Sequence, residues 1–469
     1  MPTSHGLRMG PLGWRAGCGA TALAVALLAG CDRPPTETRR VNAECPGLER
    51  PSRGQGPAAW GAAEQVPLPP DWRIDRPRVA VEGGRVFLAF ATSKRLPPAP
   101  FSEPQDVYLV TREGGRWAGP EKVSHGEQTA GEPRLGIDAR GEPHLLWGER
   151  AAGEQLPPDS PPPSVTWKPN RILHRTRGPQ GWLPADTLYR SPFLPYASVP
   201  WDPVRDRSGR LHVLFDAEPE PRRSPELFHW VWEVGRWLPR HSILGSDPVP
   251  IGGGRGGSQA DLTVARDGRL LAVFISGAPI QGGGQDISSV FFTSSRDGGA
   301  SWTAPQLISR SGLLPAFTPR IAEAGDGRIH TVWVRDTLGN MFPDVLEHSY
   351  SPDGECWTKP VRINPPTPGM PSPPSIAPDG VGGLHLLYAL PTSFLDPPSY
   401  LRYSYWDGER WSEPQSLFGL DFVIPSILGL TRDAGGTLHL AVVARVGSAG
   451  GADRLYYATA PPGARRARE

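Results

Sequence analysis

The side chains of this chain best suited to chemistry are arginines, carboxylates and one tyrosine in long, irregular connecting segments. Arg73 or Arg76, with Arg150, Arg335 and Arg445, would form a cationic cluster if the fold brought them together. Glu132, Glu149, Asp202 and Asp336 stand in comparable segments, with Arg95 and Asp421 as further candidates. Tyr196 lies in a long connection without a strand role, and Trp72 and Trp201 add aromatic surface. Retaining glycoside chemistry needs two carboxyl groups about 5 Å apart. Spacing along the chain identifies no such pair, so no catalytic residue is assigned. Five of the eleven histidines (His144, His212, His330, His385 and His439) occupy one repeat position. Equivalent positions stand around a ring at equal radius and cannot converge on one ion, so they read as packing. No metal ligands and no cofactor are expected.

The elements that carry these residues come from two interleaved repeats. In the first, a strand, a Gly turn and a second strand place the turn Gly at 84, 141, 209, 268, 327, 382 and 436. The second is a strand rich in Tyr, Phe and Val, a polar Gly turn and a Trp, at 117, 182, 237, 302, 357 and 411. Its seventh copy is split. Leu455 to Ala458 supplies the first strand at the C-terminus, and Trp60 to Val66 resembles the missing half at the N-terminus. Each pair of units makes four strands, the content of one propeller blade. A blade cannot bury both faces alone, so blades stack, and pairing the two chain ends removes the exposed edge. The spacing predicts an all-β, seven-bladed propeller of four-stranded antiparallel blades, its last blade completed by the N-terminal strand. Short turns fall on one face. The long connections that hold the candidate residues fall on the other, where binding residues usually sit.

The turn of the second unit carries a resemblance. Ser295-Arg296-Asp297-Gly298-Gly299-Ala300-Ser301-Trp302 matches the Asp-box of sialidases and other BNR-repeat propellers. The turns holding Asp353 and Trp357, and Asp407 and Trp411, are copies one residue shorter. Ser295, Asp297, Gly299, Trp302, Asp353, Trp357, Asp407 and Trp411 are therefore expected to be structural: a short carboxylate accepts backbone N–H groups within a turn. The resemblance implies a sialidase-like fold and, by extension, glycoside hydrolysis. The segment Trp72-Arg73-Ile74-Asp75-Arg76-Pro77 looks like a sialidase first blade, but Asp75 fills the Arg slot.

The N-terminus reads as an address. Arg8 and Arg15 precede an apolar run that ends in Leu28-Ala29-Gly30-Cys31, which resembles the lipobox of bacterial lipoproteins. The resemblance implies cleavage before Cys31 and its lipidation, the alternative being an uncleaved anchor helix. The expected organisation is a signal peptide at 1–30, a lipidated Cys and tether at 31–57, the propeller at 58–461 and a tail at 462–469. Net charge is +1, and losing Arg8 and Arg15 with the leader takes the remainder to −1. No basic field favours nucleic acid. Cys45 and Cys356 could pair in an oxidising compartment or remain thiols. The reading is a monomeric cell-envelope propeller, held to the membrane by a lipid, that binds a glycan or protein ligand on its long-loop face without catalysis. A sialidase-like hydrolase acting on an anionic sugar is the alternative, and a structural envelope component a third reading.

Overall fold

The computed structural model describes residues 53–95, 102–125, 129–150, 169, 171–190, 201–217, 226–233, 235–238, 241–243, 258–278, 287–309, 314–340, 342–365, 369–391, 399–419, 428–445 and 452–462. The expected leader, Cys31, Cys45, Tyr196 and Asp421 lie outside them, as do the side chain of Arg95 and most of the tether.

Seven antiparallel sheets form seven blades. Their inner strands are Arg73–Glu82, Thr129–Ile137, Val204–Arg205, Ser258–Val264, Ala316–Glu323, Ser375–Pro378 and Gly429–Arg432, in blades 1 to 7. The second strand of blade 1, Arg85–Arg95, shows why they stack. Successive side chains of a strand point to opposite faces. Val86, Leu88 and Phe90 pack toward blade 7 with Ala441, Val443 and Leu455. Phe87 and Ala89 pack toward blade 2 with Leu135, Leu145 and Trp147. Both faces are buried, so the strand reads as an unbroken apolar run. Equivalent cores join blades 2 to 3, 3 to 4, 4 to 5, 5 to 6 and 6 to 7.

The ring closes as the split repeat requires. Glu64–Gln65 is the outer strand of blade 7, with Glu64 opposite Tyr457 and Gln65 opposite Tyr456. Val66 N donates to Leu455 O at 2.9 Å and Gly61 N to Thr459 O at 2.9 Å, extending the pairing on both sides. Val66 is buried in the core between blades 7 and 1.

The repeated histidines are buried rungs. His144 Nδ1 lies 2.9 Å from His174 Nε2, His212 Nδ1 2.9 Å from His229 Nε2, and His330 Nδ1 3.0 Å from His348 Nε2. In blades 6 and 7 a tyrosine takes the second place, with His385 Nδ1 at 2.9 Å from Tyr403 Oη and His439 Nδ1 at 2.7 Å from Tyr457 Oη. The repeated Trp locks each rung to the next blade. Trp302 lies edge-on to His229, and Trp411 stands on His348 and donates its indole N–H to His348 Nδ1 at 3.2 Å.

Burial holds these imidazoles neutral. Desolvation lowers His174, His330 and His385 to about 4, with carboxylates such as Asp186 pulling His174 the other way. A native pKa below the unfolded value of about 6.5 means that protons bind preferentially to the unfolded chain. This contribution to stability is therefore complete above pH 6.5 and is lost as the pH falls toward 4. The denaturant midpoint should drop between pH 7.5 and pH 5, and an unchanged midpoint across that window would contradict neutral buried rungs. Removing residues up to 67 should open the edge of blade 7, lowering the unfolding midpoint and promoting association. Equal midpoints for the intact and truncated chains would refute the closure.

Candidate functional site

Four inner strands share one irregularity. The pairing register shifts between Asp75 and Arg78 in blade 1, Gly131 and Arg134 in blade 2, Ser258 and Asp261 in blade 4, and Phe317 and Arg320 in blade 5. At each bulge a residue other than glycine has positive φ: Arg76 at 52°, Glu132 at 55°, Gln259 at 49° and Thr318 at 47°. Pro77, Pro133 and Pro319 follow three of them, where the lost ladder hydrogen bond needs no N–H. Such a conformation costs about 1–3 kcal/mol per residue and gathers at functional sites. A bulge re-aims the side chain that follows it. Here those side chains are Arg78, Arg134, Asp261 and Arg320.

The three guanidiniums converge. Arg78, Arg134 and Arg320 are buried, with 2%, 3% and 7% of their surface exposed. Burial lowers the pKa of each below the usual arginine value, that of Arg134 well below it. The carboxylate of Asp202 pulls Arg78 and Arg134 back up, and that of Asp261 does so for Arg320. Each arginine is also depressed by another of the set, Arg78 by Arg320, Arg134 by Arg78 and Arg320 by Arg134. A guanidinium keeps its proton in a folded protein, so the crowding appears as a demand for negative charge.

Blade 3 has no Pro-Arg bulge and supplies other groups. Asp202 Oδ2 lies 3.1 Å from Arg78 Nε, and its Oδ1 accepts Leu135 N at 3.2 Å. The Arg320 guanidinium lies 4.2 Å above the Trp201 ring, and that of Arg134 lies 5.3 Å from the same ring. A desolvated contact of this kind is worth about 2 kcal/mol. Arg320 donates to Pro374 O at 3.1 Å and Pro319 O at 3.2 Å, while its Nη2 has no acceptor among the described residues. Asp261 accepts Ile321 N at 2.9 Å, and burial raises its pKa. Toward solvent, Arg76 pairs with Glu132 and lies 3.4 Å from Asp75 Oδ2. The site can thus hold an anion over three guanidiniums, with carboxylates at its rim.

The sequence-based candidates divide. Arg76, Glu132, Trp201 and Asp202 belong to this cluster. Arg335, Arg445 and Arg73 have partners in their own blades or at the seam. Arg335 Nε donates to Glu347 Oε2 at 2.7 Å, and its other nitrogens donate to Leu314 O and Ser309 O. Asp453 takes Arg445 at 2.9 Å and Arg73 at 3.6 Å. Glu149, buried, is bound by Arg171 and Trp147, and Arg150 follows it at the end of its strand. Asp336 accepts the backbone N–H groups of Leu338 and Gly339, and so shapes a loop. Trp72 packs on Tyr108 and Phe90. Sequence reasoning missed Arg78, Arg134 and Arg320, although each is a Pro-Arg dipeptide shortly before a turn glycine.

The carboxylates of the Trp turns bond within their own turns. Asp297 Oδ1 accepts Ser301 N at 2.9 Å and Ser295 Oγ–H at 2.8 Å, and these bonds, with that from the Ser301 hydroxyl first, hold its carboxyl at about 2. A side chain at Gly299, where φ is 92°, would strike the His229 ring. Asp353 and Asp407 cap their turns by accepting Glu355 N and Glu409 N. Cys356 is disulfide-bonded, which removes the free-thiol alternative for it. Among the described residues, no group of three or more His, Cys, Asp or Glu is spaced to hold a metal ion.

No family model matches the chain, and no curated protein matches it. Solved structures do. An ulvan lyase of a polysaccharide lyase family, solved with -[GlcA(1-4)Rha3S]-, is 13% identical and covers 84% of this chain and 95% of its own, at a TM-score of 0.58. A protein of unknown function from Dyadobacter fermentans is 13% identical, covers 86% of this chain and 99% of its own, at 0.51. A Trypanosoma rangeli sialidase solved with sialic acid is 11% identical over 88% of this chain and 59% of its own, at 0.43. What the first two share with this chain is the fold.

Replacing Asp202 with Ala leaves Arg78 without its nearest carboxylate. Breaking a fully buried pair costs about 3–5 kcal/mol. With 44% of its side chain exposed, Asp202 should cost less, about 1–3 kcal/mol by urea unfolding. A neutral substitution would show that the cluster needs no internal counter-charge.

Proposed function

We propose that the propeller binds an acidic polysaccharide at the centre of its ring, seating a carboxylate or sulfate over Arg78, Arg134 and Arg320. The observation that carries this reading is the convergence of three buried guanidiniums at strained bulges on three blades, one of them with an unmatched nitrogen. Guanidinium forks suit planar oxyanions in a way that an ammonium does not. The ulvan lyase was solved with a glucuronate and sulfated-rhamnose ligand, an anionic glycan of the kind such a cluster suits. The turns around Asp297, Asp353 and Asp407 are read as Asp-boxes that brace the ring. The chain itself is placed in the cell envelope and held to the membrane through Cys31. The leader pattern and the disulfide at Cys356 support export to an oxidising compartment.

A second reading is cleavage of the same glycan. It is favoured by Asp261, whose carboxyl is raised by burial beside Arg320 and within electrostatic range of Asp202. A carboxyl poised upward can serve as a general acid.

Titration of the protein with polyglucuronate and with a neutral glucan of equal length tests the binding reading. Polyglucuronate should bind, the glucan should not, and Arg134→Ala should weaken binding at least tenfold. Equal binding of both polymers would overturn it. Release of reducing ends or of unsaturated uronates from polyglucuronate, abolished by Asp261→Asn, would establish the second reading over simple binding.

A further inference from the structure

One dipeptide of blade 3 touches all three guanidiniums. Trp201 lies under Arg320 at 4.2 Å and beside Arg134 at 5.3 Å, and Asp202 holds Arg78 at 3.1 Å. The Trp201 backbone is fixed by its N–H to Leu214 O at 3.1 Å, and its ring is seated in the core between blades 3 and 4 with Leu214, Leu262 and Phe274. The ring is therefore a rigid plate anchored on one blade and pressed against side chains from three others. Its indole Nε1 is buried and has no acceptor among the described residues, the same condition as Arg320 Nη2. Each of these buried donors calls for an acceptor that the described residues do not supply.

We propose that Trp201 is the positioning residue of the anion site. Its ring face sets the separation and tilt of Arg320 and Arg134, and its N–H completes the donor set with Arg320 Nη2. The proposal rests on the acidic-glycan reading of the cluster. It adds that recognition depends on an uncharged residue that supplies no Coulomb attraction of its own. Arginine side chains are long and flexible. Without the plate, the two heads would separate to relieve their repulsion, and the preformed site would open.

The test measures polyglucuronate affinity by calorimetry for the full chain and for Trp201→Phe, Trp201→Leu and Arg320→Lys. Trp201→Phe keeps the ring face and loses the N–H, so it should bind three- to tenfold more weakly than wild type. Trp201→Leu loses both and should bind at least thirtyfold more weakly. Combining Trp201→Phe with Arg320→Lys should cost less than the sum of the single losses, because both act on one arrangement. An unchanged urea midpoint for Trp201→Phe separates that non-additivity from general loosening, and Trp201→Phe carries the test even if Trp201→Leu does not fold. Affinities of the Trp201 variants within twofold of wild type, or strict additivity, would overturn the positioning role while leaving the glycan reading intact. Absence of binding by the wild type would remove both.

Discussion

The ring exists because the third strand of blade 7 would otherwise end in an unpaired edge. Asp453–Ala460 finds its outer partner 393 residues earlier in the chain, where Tyr457 faces Glu64. Until those ends meet, blade 7 lacks a strand, and the core that Val66 and Leu455 share with blade 1 cannot be sealed. Every radius and every inward direction in the molecule presupposes that meeting. Such long-range pairing contributes only after a large loop has been closed, so its favourable contacts come late and together.

Closure also makes the centre a poor place for charge, yet charge is gathered there. Three arginines sit within electrostatic range of one another, and the carboxylates of Asp202 and Asp261 compensate them from blades 3 and 4. The strained residues Arg76, Glu132, Gln259 and Thr318 mark the strands that aim these groups. Blades 6 and 7 are quieter. Gly429 of blade 7 brings its backbone against that of Arg78 and Val79, where a Cβ would fit only tightly. The polar centre is thus lopsided, built by blades 1 to 5.

How much of this is legible in sequence follows from scale. The seven turn glycines, the repeated tryptophans and the divided last repeat are properties of whole units, and they identify the ring and its closure. The turn of Asp297 is local chemistry and reads equally well. The arginine cluster is not legible in the same way, because a bulge adds a residue and flips the inward phase of everything beyond it. Strict alternation misplaces Arg78, Arg134 and Arg320. Loop arginines attract notice by position, but Arg445 faces Asp453 across its own hairpin, and Arg335 is taken by Glu347. The informative pattern was the Pro-Arg dipeptide recurring at matching places in blades 1, 2 and 5.

The N-terminal segment does more than supply a strand. Before reaching Glu64 it crosses blade 6, where Gly54 N donates to Asp407 O, Gln55 N to Asp379, Gly56 N to Tyr405 Oη and Ala58 N to Tyr403 Oη. A pull applied at Arg53 therefore loads these four bonds and the Trp60 contacts before any tension reaches the seam between the chain ends. The crossing lies in the path of any such load as a strain relief does on a cable, on blade 6 and ahead of the seam.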